Sequence, residues 1–139
     1  MSIETTRLAM QRFVEFINTG SEALATELIS PEAAFWVPGR PEPLTGIAGY
    51  MGVLGMMRGG FSDIQWTLEE TIVEGDKVAA RFTMRGTHDG TFFGVPATGK
   101  KIEVRAMNFY TWADGKIVEE YGQPDQLGLM QQSGTLPRN

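Results

Sequence analysis

From Asp63 almost to Asp125, apolar residues recur at every second position. Such alternation turns successive side chains to opposite faces of an extended chain, so the spacing predicts four strands, over residues 64–74, 77–87, 101–112 and 116–123. Gly75-Asp76 and Asp114-Gly115 separate the members of each pair, and such dipeptides favour the tight reversals of antiparallel hairpins. A longer loop, HDGTFFGVPATGKK, joins the two pairs. Strands this long must twist and coil.

Before Asp63 the period is different. Ala9, Phe13, Phe16 and Ile17 recur at helical spacing within residues 3–18, with Ser2 placed to cap the start and Gly20 the end. Ser21 offers a second cap for a short helix over residues 22–28, ended before Pro31. A short strand over residues 34–37 is stopped by Pro38, and after the loop PGRPEPLTG Thr45 can cap a third helix, residues 46–57. That helix carries Gly49, Gly52 and Gly55, a stripe that lets a sheet or a ligand approach its backbone. Asp125 opens a last helix, residues 126–132.

Helices followed by long antiparallel strands describe an α+β domain, one curved antiparallel sheet wrapped around a few helices with room for a pocket between them. A length of 139 residues fits one domain, 1–139. The chain has no cysteine and one histidine, His88. Thiolate nucleophiles, disulfides and sulfur-based zinc sites are therefore excluded, and no metal site or cofactor is expected. Seventeen acidic residues against 12 basic ones give a net charge of -5, so neither nucleic acid nor an anionic membrane is an expected partner. With no signal segment or long apolar run, the expected location is cytoplasmic.

Two segments carry a family likeness. Arg85 to Lys100, RGTHDGTFFGVPATGK, resembles the RGTHxGxFxGxPxTGR segment of SnoaL-like polyketide cyclases, and DGKIVEEYGQPDQLGLMQQSG, Asp114 to Gly134, resembles their C-terminal segment. These proteins share the cone-shaped fold of nuclear transport factor 2 and ketosteroid isomerase. The resemblance implies a cone with a largely apolar pocket, a homodimer or higher oligomer formed through the open sheet face, and a hydrophobic small-molecule substrate. It further implies a carboxylate near the end of the last strand that takes a proton from carbon before an aldol ring closure. The matching residue is Asp125. Tyr121 stands where the family often has Trp.

Proton removal next to a carbonyl needs a base, hydrogen-bond donors for the enolate and exclusion of water, all of which side chains can supply. Asp125 is the candidate base, although it also reads as the cap of the last helix. Tyr121 and Gln123 share its face by alternation. His88, opening the long loop, is the candidate helper acid, and Asn108 is an amide in an otherwise apolar strand that could meet a ligand carbonyl. Parity leaves open whether Met107 and Phe109 or Asn108, Tyr110 and Trp112 face the pocket; both sets are apolar enough to be covered, which predicts a partner copy on one face. Phe35, Trp36 and Tyr50 are candidate substrate-binding aromatics, and Arg40 stands at the expected entrance. Two alternatives stand beside the cyclase or isomerase: a non-catalytic binding or assembly module, for which Asp125 should be exposed and simply cap the last helix with no polar group converging on the cavity, and a limonene-type epoxide hydrolase, which needs an Asp-Arg-Asp constellation.

Overall fold

The computed structural model describes residues 2–136. Helix α1, Ile3–Thr19, is capped by the Ser2 hydroxyl, which accepts from the Thr5 amide, and Gly20 ends it in the left-handed conformation with φ 71°. Helix α2, Glu22–Leu28, is capped in the same way by Ser21. It runs directly into strand β1, Ile29–Trp36, which starts five residues earlier than the expected 34–37. Pro31 does not prevent this. It lies where the register of β1 shifts, between Ile29 and Ala34, so its missing N–H takes no bond from a regular ladder.

Strand β2, Leu44–Thr45, pairs with Ala34 and Phe35. Thr45 is thereby held extended, and its side chain makes no cap bond to helix α3, Gly46–Gly60, which runs three residues beyond the expected end. The four long strands are β3, Gln65–Glu74, β4, Lys77–Thr87, β5, Lys101–Ala113, and β6, Lys116–Pro124; α4, Gln126–Ser133, follows. Asp125 caps α4.

The six strands form one curved sheet in the order β2-β1-β6-β5-β4-β3. The expected all-antiparallel sheet needs one correction: β1 pairs parallel with β6. Tight hairpins enforce antiparallel pairing from β3 to β4 and from β5 to β6, whereas most of the chain separates β1 from β6 and no turn dictates their relative direction.

Strands β4 and β5 pair without a break from Lys77↔Thr111 to Thr87↔Lys101. Val78, Ala80, Phe82 and Met84 of β4, with Ile102, Val104, Ala106, Tyr110 and Trp112 of β5, face inward. This settles the parity left open by composition: the Tyr110 and Trp112 set is inside, while Met107 and Phe109 are 59% and 61% exposed. Helix α1 presses Met10, Phe13, Phe16 and Ile17 into the concavity. Phe13 meets Tyr50 of α3 and Tyr110 of β5 edge to face, with ring centroids 5.6 and 5.3 Å apart. No helix among the described residues is long and apolar enough to cross a membrane.

Candidate active site

Helix α3 and the concave faces of β4, β5 and β6 enclose a cavity of about 630 Å³, within the range that takes a drug-sized ligand. Its wall is mostly apolar, with Leu54, Met57, Trp66, Phe82, Met84 and Ala106 among its residues. Gly49 and Gly52 also line it, and a Cβ at Gly52 would touch nothing, so two members of the glycine stripe border the cavity. Gly49 explains itself differently: its Cα lies against Leu44 of β2, where a Cβ would come within 3.1 Å.

Four polar side chains meet on this wall. Glu120 of β6 is 6% exposed and pairs across the sheet with Tyr110 on one side and Phe35 on the other. Tyr50 of α3 donates its hydroxyl to Glu120 Oε1 at 2.8 Å, and Tyr110, the cross-strand neighbour of Glu120, brings a second phenol to the same wall. Asn108 Nδ2 donates to Tyr110 Oη at 3.1 Å, and Asn108 Oδ1 accepts from the Gln123 amide at 3.0 Å, so both ends of the amide are held.

Burial raises the Glu120 carboxyl from 4.5 to about 7, against the opposing pull of the hydrogen bond from Tyr50 and of the Tyr110 phenol. The two tyrosines move further from neutrality: burial, then the nearby Glu120 charge, pushes both well above the ordinary phenol value. Near neutral pH the cluster thus pairs one carboxyl poised to exchange a proton with two phenols that keep theirs.

Four of the candidate site residues singled out in the sequence line the cavity: Phe35, Tyr50 and Asn108 on its wall and Arg40 at its rim. The others stand elsewhere. Asp125 is exposed, and its Oδ1 accepts from the Gly128 amide at 2.8 Å, the geometry of a helix cap. Tyr121 and Gln123 do share its side of the strand, but it is the outer side. There Tyr121 stacks on Trp36, with centroids 5.8 Å apart and planes 4° from parallel. His88 is fully buried away from the cavity, beside Phe61, with Nδ1 2.8 Å from Thr98 Oγ1 and accepting from the Thr98 amide at 3.2 Å. It ties the long loop back onto the end of β4.

Glu120 escaped the sequence reading because of a bulge in β6, and Tyr110 because composition left open which face of β5 turns inward. Thr111 pairs with Glu119 but Trp112 pairs with Ile117, so Val118 is an extra residue that resets the alternation of β6. Ile117 and Glu120, three apart, consequently both face inward. One signal was available: neighbouring strand residues point to opposite faces, so of the pair Glu119-Glu120 one had to point at the concave side.

The sequence profile described as SnoaL-like polyketide cyclase matches residues 7–133. The chain belongs to that family. Aklanonic acid methyl ester cyclase DnrD of Streptomyces peucetius is 31% identical over 132 residues, covering 90% of this chain and 88% of the relative. The structure of IdmH from Streptomyces antibioticus superposes with a TM-score of 0.82 at 32% identity over 91% of this chain and 96% of that one. TsrD from Streptomyces laurentii gives 0.84 at 27% identity over 98% and 99%. This SnoaL-like chain is thus a cyclase-like enzyme on the curved α+β scaffold of its relatives. Of the two features expected of a non-catalytic binding module, one is present, since Asp125 is exposed and caps α4, and one is not, since polar groups converge on the cavity. Among the described residues Glu120 is the one carboxylate on its wall, so the Asp-Arg-Asp constellation of an epoxide hydrolase is not assembled there.

Proposed function

We propose that the chain catalyses an intramolecular aldol ring closure on a hydrophobic, multi-carbonyl substrate, with Glu120 as the general base. One observation carries this reading: a single carboxyl, raised to about 7 by burial, stands in an apolar cavity beside two phenol donors. In the proposed sequence the Glu120 carboxylate takes a proton from a carbon flanked by carbonyls, and the electron pair of the broken C–H bond passes into the enolate. Tyr110, whose oxygen is already held by Asn108, keeps its proton to donate to the enolate oxygen. The enolate carbon then bonds to a second carbonyl carbon of the same molecule, and the displaced π pair becomes an alkoxide. The Glu120 acid returns its proton to that oxygen. All of these steps use side chains, so no cofactor enters the scheme.

Aklanonic acid methyl ester, which names the relative's reaction, is the first substrate to offer. Glu120→Gln preserves the shape and removes the base, and is expected to lower kcat by about 10²- to 10⁴-fold, the usual contribution of a positioned base. Turnover by Glu120→Gln at the wild-type rate would falsify the assignment.

The reading includes a second copy of the chain on the outer sheet face. Trp36, Tyr121, Phe109, Ala79 and Ile72 are successive cross-strand partners and form one row over five strands. Phe109, Ile72 and Tyr121 are 61%, 64% and 46% exposed, and so broad an apolar row supports association through this face.

A further inference from the structure

The loop between β4 and β5 presents one side chain that its own backbone disfavours. Phe92 and Val95 exchange both backbone hydrogen bonds at 3.0 Å, closing a two-residue turn over Phe93 and Gly94. Phe93 has φ 48° and Gly94 φ 75°, the left-handed pair of a type I′ turn. Glycine, asparagine and aspartate suit the first of these positions, and phenylalanine strains it.

The base of the turn is clamped, which holds the strain in place. Gly60 accepts from the amides of Asp89 and Gly90 at 3.1 Å, and Asp89 Oδ1 accepts from the Ser62 amide at 2.9 Å. Phe92 is buried against Phe61 and lies so close to Gly60 that a Cβ there would come within 2.8 Å of its ring. Phe92 therefore accounts for the folding role of the segment. Phe93 packs on the Phe92 ring, with centroids 4.3 Å apart, but its own ring is half exposed and lines the cavity rim with Met56 of α3 and Arg40.

We infer that Phe93 is a specificity-determining residue, an aromatic platform at the cavity rim that stacks on the outer end of a planar, ring-bearing substrate. The inference rests on the proposed use of this cavity as the substrate site and adds the substrate feature that the rim selects: a flat aromatic surface rather than mere apolarity. The strain at Phe93 is then the cost of placing a ring where only a turn residue is needed for folding.

The test uses the full chain with two anionic probes, anthraquinone-2-sulfonate, which is flat and aromatic, and decanoate, which is neither. Calorimetric titration and thermal unfolding are compared for wild type, Phe93→Asn and Phe93→Gly. Both variants suit the left-handed position, so Tm is expected to rise by a few degrees. The quinone is expected to bind about three- to tenfold more weakly, the worth of an aromatic contact, and decanoate to change by less. Phe93→Tyr should restore quinone binding. Unchanged quinone affinity in both variants, or an equal loss of both probes, overturns the inference while leaving the cavity reading in place. Gly52→Phe separates the two readings, because its side chain starts in open space beside the cavity and narrows it. Loss of both probes in that variant upholds the cavity as the binding site. Quinone binding that survives Gly52→Phe, or a wild type that binds neither probe, sinks the cavity reading and this inference together.

Discussion

Glu120 is a carboxyl surrounded by apolar walls, and its ionisation is linked to both activity and stability. As a base it must be ionised, so kcat/KM is expected to rise with pH through about 7, with Tyr50 and Tyr110 staying protonated well beyond that range. Stability runs the other way. The folded-state carboxyl sits at about 7 against 4.5 in the open chain, so the folded protein holds the proton more tightly. The stability this contributes is complete below about 4.5 and is lost as pH rises through about 7, a change on the order of 3 kcal/mol. Glu120→Gln has no proton to lose. Denaturant unfolding of both proteins from pH 4 to 8 should therefore show the variant gaining on wild type across that window; parallel curves would mean that Glu120 is not buried as described. Sequence inspection could name Tyr50, Asn108 and Phe35 as site residues because aromatics and an amide among apolar neighbours stand out. It passed over Glu120 because a glutamate in a strand ordinarily faces water, and only the bulge at Val118 turns this one inward.

At the scale of elements, local signals were dependable wherever a short stretch of chain closes its own hydrogen bonds. Ser2, Ser21, Gly20 and the Asp114-Gly115 reversal all act where the sequence placed them. Asp125 belongs with them, since its carboxylate satisfies the Gly128 amide at the start of α4. Asp125→Ala is expected to cost about 1 kcal/mol, read as a lower Tm, and to leave kcat near the wild-type value. A kcat that collapses without a fall in Tm would restore Asp125 as the base. Elements whose partners lie far along the chain were less legible. The early start of β1 and its parallel pairing with β6 depend on a strand more than 80 residues away, and the short β2 exists only because β1 offers it an edge.

For the whole molecule, the curved sheet divides its surface into two apolar faces with different uses. The concave face holds the core and the cavity, and the convex face carries the row from Trp36 to Ile72. Phe109 lies at the centre of that row, so Phe109→Glu is expected to convert a dimeric wild type to monomer while secondary structure is retained, as light scattering after gel filtration and circular dichroism would show. A wild type that is already monomeric at high concentration would remove the second copy from the scheme. The sequence by itself determined the class of this protein: the periods of its apolar residues, its turn dipeptides and its two family segments are local patterns, and local patterns are set by neighbouring residues. Which face each strand turns inward, and hence which carboxylate enters the cavity, was decided only by the tertiary structure. A single extra residue in β6 reverses that strand's alternation, and whether the chain accommodates it is settled by the pairing of β6 with β5 and β1 rather than by anything in β6 alone.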